Sequence, residues 1–232
     1  MSIELHITKD QSHTLYIPEL DETYHSRNGA VEEALYVYIG KGLLDTVNSS
    51  SFIENNVKPT ETSILEIGFG TGLNAWLTAI EIEKLSIHCN YHSLETVPLS
   101  LELIHQLNYT KNASVHDADL YQNIHQIEWN KTVPISPLFS LNKLNTSLQN
   151  FTPTQLYDVI YFDAFAPEKQ PELWTQELFQ KLYNCLNENG VIVTYSSKGA
   201  IKRIWKEIGF KVERLPGPPM KRHMLRGKKM AV

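Results

Sequence analysis

A chain of 232 residues with 42% hydrophobic and 20% charged residues can bury a sizeable core, which excludes a disordered, collagen-like or disulfide-scaffolded protein. Its two cysteines, Cys89 and Cys185, form no C-x-x-C pair and read as buried, inert thiols of a reducing compartment. The formal charge is −5, but residues 198–232 carry seven Lys and four Arg against Glu207 and Glu213, a local +9 that leaves −14 on residues 1–197. Such asymmetry marks either a polyanion-facing end or a solvated basic face.

The start, MSIELHITKD, lacks a basic segment followed by an apolar one, and no run of about 18 apolar residues occurs, so a soluble cytoplasmic protein is expected. ELHIT and HTLYI alternate around KDQS and predict a hairpin, and EEALYVYIGKGLL (32–44) predicts a helix ended by Gly40 and Gly42. Residues 1–60 thus read as an N-terminal extension packed on a single domain formed by 61–232. From Ser63 strands and helices alternate, which implies a parallel sheet with right-handed crossovers. SILEI (63–67) is a strand, GFGTG (68–72) a tight turn and LNAWLTAIEIEKL (73–85) a helix. IHCNYHSLE (87–95) is the second strand, LSLELIHQL (99–107) a helix and ASVHD (113–117) the third strand. Residues 121–155 read as a short helix followed by an insertion or hairpin. YDVIYFD (157–163), GVIVTYS (190–196), FKVERL (210–215) and KRHMLRGKK (221–229) are further strands, with helices over 171–186 and 198–208 between them. The expected fold is α/β and Rossmann-like: seven strands, mostly parallel, the last returning antiparallel, in the manner of class I S-adenosylmethionine-dependent methyltransferases.

Glu66-Ile67-Gly68-Phe69-Gly70-Thr71-Gly72 carries the strongest local signal. Glycines between a strand and a helix let the backbone turn sharply and approach a ligand. The spacing differs from the dinucleotide G-x-G-x-x-G, and no Lys-Ser/Thr follows as in a P-loop. Glu66 before the turn suits a zwitterionic ligand, whose ammonium it attracts directly or through water. Glu95 ends the second strand, where an acid can accept from both hydroxyls of a ribose. Asp119 follows the expected third strand and can accept from an adenine amino group; Asp117 competes for that role, and an N-cap is the ordinary alternative for Asp119.

Asp163 ends the central fourth strand and is followed by Phe165, Pro167 and Trp174. An alkyl amine has a pKa near 10 in water and must shed a proton before it can attack. A carboxylate at this place can orient such an amine and take the proton. His88, Cys89 and His92 resemble a metal cluster only briefly, since neighbours on a strand point to opposite faces and no fourth ligand follows; no metal is expected.

Glu66–Gly72, Ser93–Pro98, the D-A-F-A-P-x-K-x-P-E-L-W string of Asp163–Trp174 and Gly217–Leu225 closely resemble the methyltransferase domain of the MnmC type, a domain that also occurs alone as MnmD. Asp21–Ser26 and Glu32–Tyr38 look like the family's opening motifs, so the resemblance spans nearly the whole chain. It implies S-adenosyl-L-methionine as donor and, as acceptor, the amine of 5-aminomethyl-(2-thio)uridine at the wobble position of the tRNA anticodon stem-loop. Carried over by position, Gly68, Gly70 and Glu95 would bind the donor, Asp163 would face the amine, and Phe165 and Pro167 would shape the base pocket; Glu66, Gly72 and Asp119 are further expected donor-binding residues. Lys221 and Arg222 are assigned to phosphate contact; the motif here has Met220 and His223 where Gly and Glu are common. A chain of this length has no room for the oxidase fused in two-domain relatives, so upstream wobble-modification enzymes would have to supply the aminomethyl base. Two other classes compete: an aminopropyltransferase of the spermidine-synthase kind, and a silent RNA-binding relative, against which the intact set of carboxylates argues.

Overall fold

The computed structural model describes residues 2–49 and 59–231. Residues 50–58, within the expected N-terminal extension, lie outside the described residues. The hairpin forms as expected: β1 (Glu4–Ile7) pairs antiparallel with β2 (His13–Ile17), which also pairs with β3 (Glu22–Thr23).

Gly40 and Gly42 do not end the following helix. The first helix, α1, is α-helical over Ala30–Ala34, π-helical over Leu35–Leu44 and α-helical again over Asp45–Val47. Gly42 serves packing instead: a Cβ there would lie 2.9 Å from the Tyr161 ring and 3.1 Å from Val193, so its absence lets α1 sit close on the sheet.

The sheet has eight strands, one more than expected. They are β4 (Glu61–Ile67), β5 (His88–Glu95), β6 (Thr132–Ser136), β7 (Phe139–Asn145), β8 (Tyr157–Phe162), β9 (Leu186–Thr194), β10 (Lys211–Pro216) and β11 (His223–Lys228). Their spatial order is β10-β11-β9-β8-β4-β5-β7-β6. Five of them, β9, β8, β4, β5 and β7, run parallel; β11 is antiparallel to β9 and β10, and β6 is antiparallel to β7.

The expected strand at 113–117 is a correction. Ser114 accepts a hydrogen bond from the Asp117 N–H at 3.1 Å and caps a helix, Val115–Gln126, on which Val115 is 80% exposed. A strand in the middle of a sheet cannot leave such an apolar side chain in water, whereas an N-terminal helical turn can. The third parallel strand is β7, the second arm of a hairpin within the segment 121–155.

Side-chain alternation puts apolar residues on both sheet faces. Ile64, Val159, Tyr161, Val191 and Val193 face one cluster, shared with Val37 and Leu43 of α1 and with Leu73 and Ala79 of α2 (Leu73–Leu85). Leu65, Ile160, Phe162 and Ile192 face the other, with Phe179 of α5 (Gln176–Asn184) and Trp205 of α6 (Gly199–Ile208). Between β5 and α5 lie α3 (Leu101–Ile104) and α4, the Ser114-capped helix. Ligand sites in such sheets open beyond the carboxyl ends of the strands.

Gly42 gives a test with a definite sign. At an uncrowded position inside a helix, Gly42→Ala would stabilise, because Ala is the better helix former by roughly 1 kcal/mol. The close contact with Tyr161 predicts a loss of about 1–3 kcal/mol, measured by denaturant unfolding. A gain would contradict the packing role.

Candidate active site

The glycine turn sits where β4 ends. The N–H groups of Gly68 and Phe69 both donate to the Leu94 carbonyl, at 3.0 and 3.1 Å, and the Asp163 N–H donates to the Ile67 carbonyl at 3.0 Å. The ends of β5, β4 and β8 are thereby tied together. Gly68 has φ +95°, and a Cβ there would lie 2.7 Å from the Asp163 backbone oxygen, which fixed backbone cannot yield. Gly72, at φ +70°, is the N-cap of α2.

Beside this turn opens a cavity of about 280 Å³. Gly68, Gly70, Glu95, Asp163 and Phe165 line it, as the sequence led us to expect of a site; Asn74, Tyr24, His25 and the segment 146–149 line it too. Glu66, Gly72, Asp119, Pro167, Lys221 and Arg222 are not among its lining residues.

Glu95 is pinned at the wall. Its Oε2 accepts from the Gly70 N–H at 3.0 Å, and its Oε1 accepts from the N–H groups of Thr96 and Val97 at 2.8 and 2.9 Å. Three of the four lone-pair sites of the carboxylate are thus taken, and Oε2 keeps one.

Asp163 is held from two helices. The Tyr38 hydroxyl donates to Oδ1 at 2.6 Å, and the Asn74 Nδ2 donates to Oδ2 at 2.8 Å. Burial pushes the carboxyl pKa up to about 7, and the two hydrogen bonds work against that rise. Such a group is poised to exchange a proton near neutral pH.

Glu66 stands one layer beneath the cavity rather than in its wall. It is fully buried, accepts from Ser93 Oγ at 2.6 Å, and its Oε1 makes no hydrogen bond, although Asn74 and Tyr91 face it. Burial pushes its pKa up to about 8. Asp119 is exposed on the second turn of α4, because the strand that was to present it is a helix. Asp117 lies on the first turn of that helix, where its N–H meets the Ser114 cap.

The loop after β8 is braced from below. Trp174 Nε1 donates to the Phe165 carbonyl at 2.8 Å, the Phe165 N–H donates to Gln170 Oε1 at 3.1 Å, and the Tyr195 hydroxyl donates to the Ala164 carbonyl at 3.0 Å. Lys221 belongs to this bracing: its ammonium pairs with the buried Glu33 carboxylate and lies 4.6 Å from the Tyr195 ring centroid. Arg222 is exposed.

The N-terminal segment closes the opposite wall. Tyr24 packs edge-on to Phe165, with ring centroids 5.2 Å apart, and lies over Gly70, where a Cβ would come within 3.1 Å of its ring. His25 Nε2 is 2.7 Å from Thr71 Oγ1, and burial drives its pKa down to about 4, so it is neutral at pH 7. Residue by residue, the sequence reading missed Tyr38, Asn74, Ser93 and Tyr24. Asn74, a polar residue directly inside an apolar helix that follows the glycine turn, was the readable signal; Tyr38 lay hidden among apolar neighbours.

His88, Cys89 and His92 do not converge: Cys89 is buried, His88 exposed, and His92 Nδ1 is 2.7 Å from the Tyr157 hydroxyl. Among the described residues no group of three His, Cys, Asp or Glu side chains is arranged to hold a metal, and no helix is long and apolar enough to cross a membrane.

Residues 118–230 match the model of a family described as S-adenosyl-L-methionine-dependent methyltransferase. The chain is 29% identical over 231 residues to the tRNA 5-methylaminomethyl-2-thiouridine biosynthesis bifunctional protein MnmC of Nitrosospira multiformis, covering 94% of this chain and 36% of that protein. It spans about a third of the length of the curated relatives it matches. The fold superposes on MnmC2 from Aquifex aeolicus with a TM-score of 0.74 at 22% identity, covering 100% of this chain and 72% of the other. Spermidine synthase from Thermotoga maritima follows at a TM-score of 0.52 and 14% identity, covering 100% of this chain and 73% of that one. With a Rossmann-like sheet, a glycine turn and a carboxylate-lined cavity at the strand ends, the chain matches the S-adenosyl-L-methionine-dependent methyltransferase family model over residues 118–230 and is similar along nearly its whole length to part of the MnmC proteins.

Proposed function

We propose that this chain methylates the amine of 5-aminomethyl-(2-thio)uridine at the tRNA wobble position, giving 5-methylaminomethyl-(2-thio)uridine. The residues present fit S-adenosyl-L-methionine. Gly68 and Gly70 leave a side-chain-free cradle in the cavity wall, and Glu95, immobilised by three backbone N–H groups, keeps a lone pair on Oε2 for a ribose hydroxyl. When bound, the donor supplies an electrophilic methyl group on a sulfonium. We keep Glu66 as a contributor to the donor side only through its neighbours, and Gly72 as the residue that launches α2.

Asp163 is the observation that carries the reading. It shares one cavity with the glycine turn and Glu95, and its carboxylate is fixed by Tyr38 and Asn74. An incoming ammonium is attracted to it, surrenders a proton and presents its lone pair to the donor side. Phe165 and Tyr24 supply aromatic surface at the same wall, suited to a flipped pyrimidine, while Pro167 stiffens the loop behind.

The polyanion-facing surface also has support, with a changed membership. Lys221 is engaged with Glu33, and Arg226 with Asp45 and Glu213, so those cations serve the fold. Arg203 and Lys206 on α6, Lys211 and Arg214 on the edge strand β10, and Arg222 immediately before β11 are exposed, and these are the residues we assign to phosphate contact. A small diamine, the acceptor of an aminopropyltransferase, has no use for them. The activity belongs with tRNA in the cytoplasm, downstream of enzymes that install the aminomethyl group.

Incubation with S-adenosyl-L-methionine and tRNA bearing the aminomethyl wobble base should add a single methyl, read by nucleoside mass spectrometry. No methylated nucleoside, together with methylthioadenosine release from the decarboxylated donor and putrescine, would replace this reading with aminopropyl transfer.

Acid–base linkage gives a second check. Asp163 and Glu66 hold their protons more tightly in the folded protein, near pH 7 and 8, than in the unfolded chain, where carboxyls titrate near 4. The folded state therefore binds more protons between about pH 4 and 8, and stability falls as pH rises through that window. Thermal unfolding across pH should show this slope, flattened in Asp163→Asn and in Glu66→Gln. Equal slopes in all three proteins would contradict it.

A further inference from the structure

We propose that Tyr38 and Asn74 are positioning residues for the reaction: together they fix the plane and the proton affinity of the Asp163 carboxylate. This rests on the reading of Asp163 as the group that receives the acceptor's proton.

The geometry is specific. Each carboxylate oxygen takes one donor, the Tyr38 hydroxyl at 2.6 Å on Oδ1 and the Asn74 amide at 2.8 Å on Oδ2. The donors come from different helices, α1 and α2, which approach the end of β8 from the same sheet face. With both edges held, rotation of the carboxylate about its Cβ–Cγ bond breaks both hydrogen bonds at once. What remains free on each oxygen is the lone pair not taken by its donor, and Asp163 lines the cavity.

Tyr38 depends on an unusual backbone. It is buried at 2% exposure within the π-helical stretch Leu35–Leu44, whose wider turns differ in register from an α-helix. Gly42, four residues on, sets the height of that stretch above Tyr161 and Val193, and the Tyr38 ring packs 5.3 Å from the Tyr161 ring. A π-helical segment is rare and recurs at functional sites; here its fourth residue, Tyr38, places a hydroxyl on the proposed base.

Asn74 has a second face. Its Oδ1 is buried without a hydrogen-bond partner, as is Oε1 of Glu66, which Asn74 faces. Burial favours the protonated form of that carboxyl at neutral pH, and the Tyr91 hydroxyl, likewise without a hydrogen-bond partner, also faces it.

The charged and titratable groups around Asp163 are Tyr38 and Glu33 of α1, Glu66 of β4, Tyr195 after β9, and Lys221. Glu33 raises the proton affinity of Asp163; Lys221, Tyr38 and Asn74 lower it. Tyr38 and Asn74 are the only two of these that touch the carboxylate among the hydrogen bonds of the described residues.

The test follows the carboxyl itself. With ¹³C-labelled aspartate, the resonance lost in Asp163→Asn identifies Asp163, and its titration is followed in the wild type, Tyr38→Phe and Asn74→Ala. Loss of either donor should move the midpoint up by roughly half to one pH unit. The acidic limb of the kcat–pH profile should move with it in Tyr38→Phe, while donor affinity stays unchanged. An unmoved titration in both variants overturns the proposal, as does a moved titration with an unmoved kcat profile. Wild-type turnover by Asp163→Asn is a separate outcome: it removes Asp163 from proton transfer and the positioning role with it, while leaving the donor site and the family likeness intact.

Discussion

The close approach of Gly68 to the backbone of Asp163 is the constraint on which the site depends. Only a residue without a Cβ lets the end of β4 turn while resting against the end of β8, since any side chain would stand 2.7 Å from a carbonyl oxygen. That approach sets the glycine turn and the Asp163 carboxylate side by side in one cavity. Glu95 completes the arrangement from β5, whose Leu94 carbonyl receives two N–H groups of the same turn. Three strand ends are thus joined by backbone hydrogen bonds before any functional side chain is considered.

Around this junction the carboxylates fall into layers. Glu95 and Asp163 face the cavity, each with both oxygens held by protein donors, and Glu66 lies beneath them in a closed pocket. The buried layer is costly to ionise, which keeps negative charge in the wall rather than under it. The N-terminal segment is part of the same machinery: Tyr38 reaches Asp163, Tyr24 covers Gly70, and Glu33 anchors Lys221 beneath the loop after β8. Leu15, Val37 and Leu43 of this segment share a hydrophobic cluster with the large sheet, which anchors the wall they form.

Much of this was legible because buried parallel strands announce themselves as apolar runs. SILEI, YDVIYFD and GVIVTYS were such runs, and the glycines and carboxylates at their ends marked the cavity. Short polar segments misled. ASVHD looks like a strand by composition, but Ser114 offers its side chain to a helical N–H, and a local cap decided the conformation. The third strand hid in 121–155 because β7 carries a buried lysine, Lys143, at a position where an apolar residue would be read; its ammonium is spent on the His125 carbonyl and lies over the rings of Phe69 and Trp129. Charge counts also misdirected, since a sequence sum does not separate Lys221 and Arg226, which hold the fold together, from Arg203 and Arg214, which face water.

The central claim is that one cavity has a donor half, built on the glycine turn and Glu95, and an acceptor half, built on Asp163. Asp163→Asn, which keeps shape and removes the base, divides the two most directly when calorimetric donor binding and single-turnover methyl transfer are measured on the same preparation. The account predicts unchanged donor affinity with transfer slowed by on the order of 100-fold or more. Donor affinity lost in parallel with turnover would make Asp163 part of the donor site and contradict the division.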